Sequence, residues 1–208
     1  ILPNGDMIID GSFVEAPKQR NTRQENQMIK QGRGSELWLN EPNKKAHKDI
    51  EARWAKKNNE THFGYKVHAA VDEETKLIVH THVTAANVHD SQVISPLLSD
   101  EEDAGKRLFA DSACGGRQQL KEIESFGMIP EVCEKGTRGK PLTEEQKESN
   151  RIKSKTRCRI EHVFGYIEIV FGGSFVRSVG IKRATAYQWA TALAYNILRA
   201  VCLERQAA

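Results

Sequence analysis

The sequence predicts an α/β protein in which one mixed β-sheet is flanked by helices. Two short apolar runs, residues 7–10 and 107–111, each look like a buried strand that ends in an aspartate, Asp10 or Asp111. Between them two runs alternate in hydrophobicity with a period of two, and after them a helical pattern carries Glu161. Strands and helices in this order are typical of a sheet with helices packed on it.

Length and composition indicate one globular domain over residues 1–208. The chain is 38% hydrophobic and 28% charged, and 31 basic residues against 28 acidic ones give a net charge of +3. No stretch is apolar enough to span a membrane, and the four cysteines form no C-x-x-C pair, which predicts reduced thiols in the cytoplasm. Because the chain starts at Ile1 without an initiator methionine or a signal-peptide pattern, we expect a further segment upstream.

A long polar and basic segment, residues 17–60, follows the first strand. Its one apolar island is 37–39, so we expect an insertion or a functional loop. Trp38 and Trp54 could stack on bases, although a tryptophan that attaches a loop to the core is the commoner arrangement. Basic blocks can neutralise phosphates, which makes these residues candidate contacts for a polyanionic partner: Lys18, Arg20, Arg23, Lys44, Lys45 and Lys48.

Two alternating strands follow at 65–71 and 77–83. The polar turn between them has hairpin length, so the two strands should be antiparallel neighbours. A short helix is expected next, over 91–98, with Asp90 or Ser91 as its N-cap.

Beyond Asp111 the pattern predicts a helix, a strand and a polar loop, in that order, at 118–126, 128–133 and 136–150. The loop has room for a short helix after Thr143. A last long helix over 184–204 carries large apolar residues on one side, and we expect that side to dock on the core: Trp189, Leu193, Ile197 and Val201.

Glu161 lies at the border of an apolar helical stripe. The stripe recurs at helical spacing through Ile160, Val163, Phe164 and Ile167. A carboxylate about 100° round from Ile160 can look into a cleft. A basic run, 151–159, leads into this helix and places Arg157 one turn before Glu161. The alternative is an exposed glutamate that simply pairs with Arg157.

The three acids should meet at one edge of the sheet. If the strands of Asp10 and Asp111 are adjacent and parallel, their ends lie together, and a helix packed across them brings Glu161 to the same place. Converging carboxylates repel one another unless cations lie between them, and hard oxygen ligands select Mg²⁺ or Mn²⁺. The pattern therefore predicts two divalent ions, a pair that can activate water for phosphodiester cleavage.

Five stretches, in order, carry a family pattern: IIDGSFVEAPKQRNTRQEN at 8–26, HFGYKVHAAVD at 62–72, VTAANVHDSQV at 83–93, LFADSA at 108–113 and RCRIEHVFGYIE at 157–168. In these stretches the chain resembles the DDE transposases of bacterial insertion sequences, most closely the insertion-sequence-five branch. Five matches in order are much more specific than one aspartate after a strand.

The resemblance implies a ribonuclease H-like fold with a long basic insertion after the first strand. It implies that Asp10, Asp111 and Glu161 are the catalytic, metal-binding acids of a domain that cleaves DNA and transfers strands at insertion-sequence ends. It also implies double-stranded DNA as partner, contacted by Arg157 and the six basic residues of the insertion. A homo-oligomer on DNA, a place at the bacterial nucleoid and an upstream DNA-binding region follow from the same resemblance.

The chain departs from the family pattern at three positions. Cys114 and Ser154 each stand where a tyrosine is usual, and Glu168 stands where a basic residue would grip phosphates. Two alternative functions use the same features: another ribonuclease H-like nuclease that lacks strand transfer, and a relic that binds DNA without cutting it.

Overall fold

A computed structural model of the chain describes residues 3–99 and 102–207. The strands are β1 Met7–Glu15, β2 Arg53–Lys57, β3 Glu60–Asp72, β4 Ile78–Ala85, β5 Arg107–Ala110 and β6 Ile129–Val132. The α-helices are α1 Arg23–Lys30, α2 Pro42–Ala46, α3 Arg117–Ser125, α4 Glu144–Arg157, α5 Arg159–Phe171 and α6 Ile181–Ala207. The six strands form one mixed sheet in the order β2-β3-β1-β5-β6, and β4 also pairs with β3.

The two faces of the sheet bury separate cores. Along β1, Ile8 packs with α5 and α6, whereas Ile9 packs with α3, because successive side chains of a strand point to opposite faces. Strand β1 pairs antiparallel with β3 and parallel with β5, and β5 pairs parallel with β6. This is the predicted mixed sheet flanked by helices, and its architecture is ribonuclease H-like.

Strand β1 is longer than the sequence predicts. Asp10 was expected at the end of a short strand, but the strand continues to Glu15, so Asp10 lies within it. The apolar run stops at Gly11, whereas the backbone pairing with β3 continues as far as Glu15 opposite Gly64. Pairing with a long partner strand therefore extends β1 beyond its apolar segment. The antiparallel hairpin of β3 and β4 is confirmed.

The insertion is folded rather than a loop. It contains α1, α2 and β2, and β2 pairs antiparallel with the start of β3. Thr22 and Glu25 form a reciprocal capping box at the start of α1. The Trp38 indole is buried and donates a hydrogen bond to Glu25 Oε1 at 2.7 Å. Trp38 thus packs within the insertion, and its ring is too buried to stack on a base.

The prediction of a helix over 91–98 is wrong. The structure has two short 3₁₀ turns there, Asp90–Gln92 and Ser95–Leu97. Asp90 does not cap either turn; His89 caps the first one, because its ring nitrogen accepts from Ser91 N at 3.3 Å. Pro96 lacks the backbone N–H that a continuing helix would need.

Helix α4 is longer than the short helix expected after Thr143, whose side chain caps it. Helix α5 follows almost directly, after a break at Cys158. Its predicted stripe is confirmed, since Ile160, Val163 and Ile167 are buried.

The predicted orientation of the last helix is wrong. Its large apolar residues point to solvent, with exposed fractions of 59% for Trp189, 62% for Leu193 and 56% for Ile197. The buried face instead holds Ala184, Gln188, Thr191, Ala192 and Tyr195. Polar side chains fix this orientation, because Asn196 bonds both backbone groups of Ile78, at 2.9 and 2.8 Å. None of the described helices has the length and apolarity needed to cross a membrane.

Candidate active site

Asp10 and Asp111 occupy equivalent positions on neighbouring strands. In the parallel register of β1 and β5, Ile8 pairs with Phe109, and each aspartate follows its paired residue by two positions. Both carboxylates therefore project on the face of Ile8 and Phe109, which α5 covers. The predicted adjacency of these two parallel strands is confirmed.

Asp10 is held by a backbone amide and by a guanidinium. Its Oδ1 accepts from Gly11 N at 2.8 Å, and its Oδ2 accepts from Arg157 Nη1 at 2.7 Å. Burial raises the pKa of Asp10 above its usual value, and the Asp111 charge raises it further, against the lowering effects of Gly11 and Arg157. The two aspartates are therefore close enough to repel one another.

Asp111 caps the 3₁₀ turn Ser112–Cys114, because its Oδ1 accepts from Ala113 N at 2.8 Å. This bond fixes the direction of the carboxylate at the end of β5. Cys114 lies just behind it, and burial raises the pKa of this thiol to about 12. The cysteine that stands in place of the family's tyrosine is therefore a neutral, buried group.

Glu161 lies in the first turn of α5, at the rim of the site. Its side chain is 62% exposed, and its Oε1 lies 3.6 Å from Arg157 Nη2. Arg157 therefore contacts Asp10 and Glu161 together. The predicted Arg157–Glu161 pair is thus present, and Arg157 links Glu161 to Asp10.

The donor chemistry of the three acids fits a hard divalent cation. As the side chains stand in residues 3–99 and 102–207, no group of three His, Cys, Asp or Glu is close enough to hold one ion. Between Asp10 and Glu161 the positive charge is supplied by the Arg157 guanidinium. A cation at this position would compete with Arg157 for the same oxygens.

A second polar cluster, which the sequence interpretation missed, lies beside the acids. Asp90 Oδ1 accepts from Lys66 Nζ at 2.9 Å and lies 3.5 Å from His68 Nδ1. Burial lowers the pKa of His68 to about 4, so the ring is neutral near pH 7. His68 and Asp90 line a small cavity together with Asp10 and Asp111, whereas Lys66 does not. All three residues lie in stretches that carry the family pattern, Lys66 and His68 in 62–72 and Asp90 in 83–93.

Gly11 lets this cluster approach β1. A Cβ at Gly11 would lie 2.9 Å from Asp90 Oδ1 and 3.0 Å from His68 Nδ1. Any side chain there would push the cluster away from the strand that carries Asp10.

The hairpin of β2 and β3 folds back toward the acids. Gly64 in β3 has a φ of 147°. Two residues before it, toward the hairpin tip, His62 stacks on Phe13 with ring centroids 4.2 Å apart. The tip of the hairpin therefore returns along β1, and the Lys57 charge there lowers the pKa of Asp10. Lys57 is a basic residue of the site that the sequence interpretation did not single out.

The six predicted basic contacts of the insertion divide into two groups. Lys18, Arg20 and Arg23 are exposed. The other three make contacts within the insertion: Lys44 pairs with Glu25 at 3.4 Å, Lys45 donates to Ser35 O at 2.9 Å, and Lys48 donates to Arg20 O at 2.6 Å. Lys44 and Lys48 also lie over the Trp38 ring. This second group stabilises the insertion.

The chain is similar to proteins of a known family. A family model described as "Transposase DDE domain" matches residues 3–197. A curated relative, the transposase for insertion sequence element IS1106 of Neisseria meningitidis serogroup B, is 32% identical over 155 residues, which are 74% of this chain and 52% of the relative. The chain thus spans about half the length of that relative. No solved structure matches.

Proposed function

Because the chain belongs to the transposase DDE domain family, we propose that it cleaves phosphodiester bonds and transfers strands at the ends of an insertion sequence. The observation that carries this proposal is the equivalent register of Asp10 and Asp111 on parallel strands, with Arg157 linking Asp10 to Glu161. Double-stranded DNA is the proposed partner, bound by a homo-oligomer at the bacterial nucleoid.

Asp10, Asp111 and Glu161 would hold two Mg²⁺ or Mn²⁺ ions. Such a pair supplies an activated water and stabilises the leaving oxygen of a phosphodiester. The chain's part is to aim the carboxylates: Gly11 N–H fixes Asp10, and Ala113 N–H fixes Asp111. Glu161, being exposed, is the acid whose rotamer can change without disturbing the core.

Arg157 and Lys57 would hold the DNA backbone beside the acids. The Arg157 guanidinium has a planar set of donors that suits a phosphate, and it becomes available when a cation takes its place between Asp10 and Glu161. Lys57 approaches Asp10 from the hairpin tip. Exposed Lys18, Arg20 and Arg23 would extend the contact along the duplex.

The test is an assay with Mn²⁺ and a duplex that ends in the inverted repeat of the chain's own element. We expect nicking of the intact end and joining of a pre-cleaved end to target DNA. Glu161→Gln should abolish both reactions, and Glu145→Gln, an exposed change on α4, should leave them intact. Nicking without joining would indicate a nuclease, and DNA binding without either reaction would indicate a relic.

A further inference from the structure

Helix α6 has a second apolar face, which none of the described residues covers. Trp189, Leu193, Ile197 and Val201 are 59%, 62%, 56% and 39% exposed. The opposite face of the helix already packs on the sheet through Ala192 and Tyr195. A contiguous apolar stripe of this length on a helix indicates an interaction surface.

The stripe is bounded by two opposite charges. On a helix with 3.6 residues per turn, positions 11 apart lie about 20° from each other. Lys182, Leu193 and Glu204 have this spacing, so Leu193 is the centre of a stripe with Lys182 at one end and Glu204 at the other. Both charged residues are exposed.

No charged side chain lies on the stripe between these ends. Its other members, all within about 60° of Leu193, are apolar: Ala186, Trp189, Ala190, Ile197 and Ala200. Arg199 points away, since its Nε donates to Thr75 O at 2.7 Å. Arg183 and Arg205 lie about 80° and 120° round from Leu193. The alanines beside the large residues allow a second helix to approach closely.

We propose that this stripe, Lys182 to Glu204 of α6, is the interface between two copies of the chain, paired as antiparallel helices about a two-fold axis at Leu193. In that register Leu193 faces Leu193, and Trp189 of one copy faces Ile197 of the other. Lys182 of each copy faces Glu204 of the other, because both lie 11 positions from the centre. A two-fold interface requires such a self-complementary surface.

The charges favour a second copy over other occupants. A nucleic acid would need a basic surface, whereas the stripe is uncharged over its middle and has one basic and one acidic end. An antiparallel copy neutralises both ends at once and covers the apolar residues between them. A parallel copy would place Lys182 against Lys182 and Glu204 against Glu204, which is repulsive.

The test is sedimentation equilibrium of the 208-residue chain without DNA or metal, so its result does not depend on the proposed catalytic function. We expect a dimer. Leu193→Asp should raise the dissociation constant of the dimer at least a hundredfold, because a charge would be buried at the two-fold axis. The residue is exposed in one copy, so circular dichroism should show an unchanged fold. Ile152→Asp, at a residue 59% exposed on α4, is the matched control and should leave the dimer intact.

A charge exchange tests the register. Lys182→Glu should weaken the dimer about tenfold, since two end pairs become repulsive, and adding Glu204→Lys should restore it. A chain that is monomeric at high micromolar concentration would overturn the proposal. A dimer that survives Leu193→Asp, or a Lys182→Glu defect that Glu204→Lys worsens, would do the same.

Discussion

Arg157 Nη1 donates to Asp10 Oδ2 at 2.7 Å and so joins the last residue of α4 to the middle of β1. The other terminal nitrogen of the same guanidinium lies 3.6 Å from Glu161. One basic side chain thus contacts two of the three acids proposed to bind metal. A divalent ion that takes these same oxygens would compete with Arg157.

Arg157→Gln should increase the response of the chain to Mn²⁺. The variant should lose about 2 kcal/mol of stability, since a charged hydrogen bond to Asp10 is removed, but Mn²⁺ should raise its melting temperature more than that of the wild type. Arg151→Gln on the same helix is the control, because its pair with Glu148 is exposed and adds little. Equal Mn²⁺ shifts in all three proteins would show that Arg157 and the ion do not compete.

The insertion should loosen in acid because of Glu25. Hydrogen bonds from Thr22 N–H and from the Trp38 indole lower the pKa of Glu25 to about 2 from a usual 4.5. A depressed folded-state pKa gives stability that is fully present above pH 4.5 and is lost as the pH falls toward 2. Trp38 fluorescence, read in a background with Trp54 and Trp189 changed to Phe, should follow that transition.

Glu25→Gln should remove this pH dependence. Glu36→Gln changes another glutamate of the insertion, whose partner Arg33 is exposed, and should preserve it. An acid transition of Trp38 that is the same in both variants would mean that Glu25 does not hold the insertion.

Asp49 should be a major source of stability. This buried carboxylate accepts from Glu51 N and Ala52 N at 3.0 Å each, from Tyr65 Oη at 2.6 Å and from Gly180 N at 3.0 Å. Asp49→Asn presents an amide NH₂ to some of these donors and should cost about 3 kcal/mol in urea unfolding. Tyr65→Phe removes one of the bonds and should cost less. If Asp49→Asn lowered the free energy of unfolding by less than Tyr65→Phe does, Asp49 would not be a major source of stability.

Exposed basic residues of the insertion should set the salt dependence of DNA binding. Replacing Lys18, Arg20 and Arg23 with Gln should reduce the slope of log affinity against log salt by up to about three units. The same change at Arg117 and Lys121 on α3, which lies on the other face of the sheet, should leave it unchanged. Equal effects of the two variants would mean that the insertion does not face DNA. Lys44, Lys45 and Lys48 are unsuitable for this test because they hold the insertion together.

The parts of the fold that follow from local periodicity could be predicted from the sequence. The alternating runs of the β3–β4 hairpin, the short apolar run of β5 and the helical stripe of α5 each predicted an element, and the structure confirms them. Asp10 and Asp111 could be placed together because each follows a short apolar run and the two strands are parallel neighbours. The length of β1 could not, since it depends on pairing with β3.

Tertiary contacts decided the remaining elements. Helix α6 has apolar residues on two faces, and the prediction buried the face with the larger ones. In the structure, Asn196 and Tyr195 donate hydrogen bonds to the backbone of Ile78 and Lys76, and these bonds turn the other face toward the core. The position of Lys57 depends on the fold-back at Gly64. The cluster of Asp90 with Lys66 depends on a long-range approach to β1, which no local pattern reveals.

The most direct test of the proposed metal site is a crystal of the chain soaked in Mn²⁺ and examined for anomalous density. We expect density between Asp10 and Asp111, with the Glu161 carboxylate turned toward it and the Arg157 guanidinium displaced. Crystals with no density at these acids, and with Arg157 still bonded to Asp10 at saturating Mn²⁺, would contradict it.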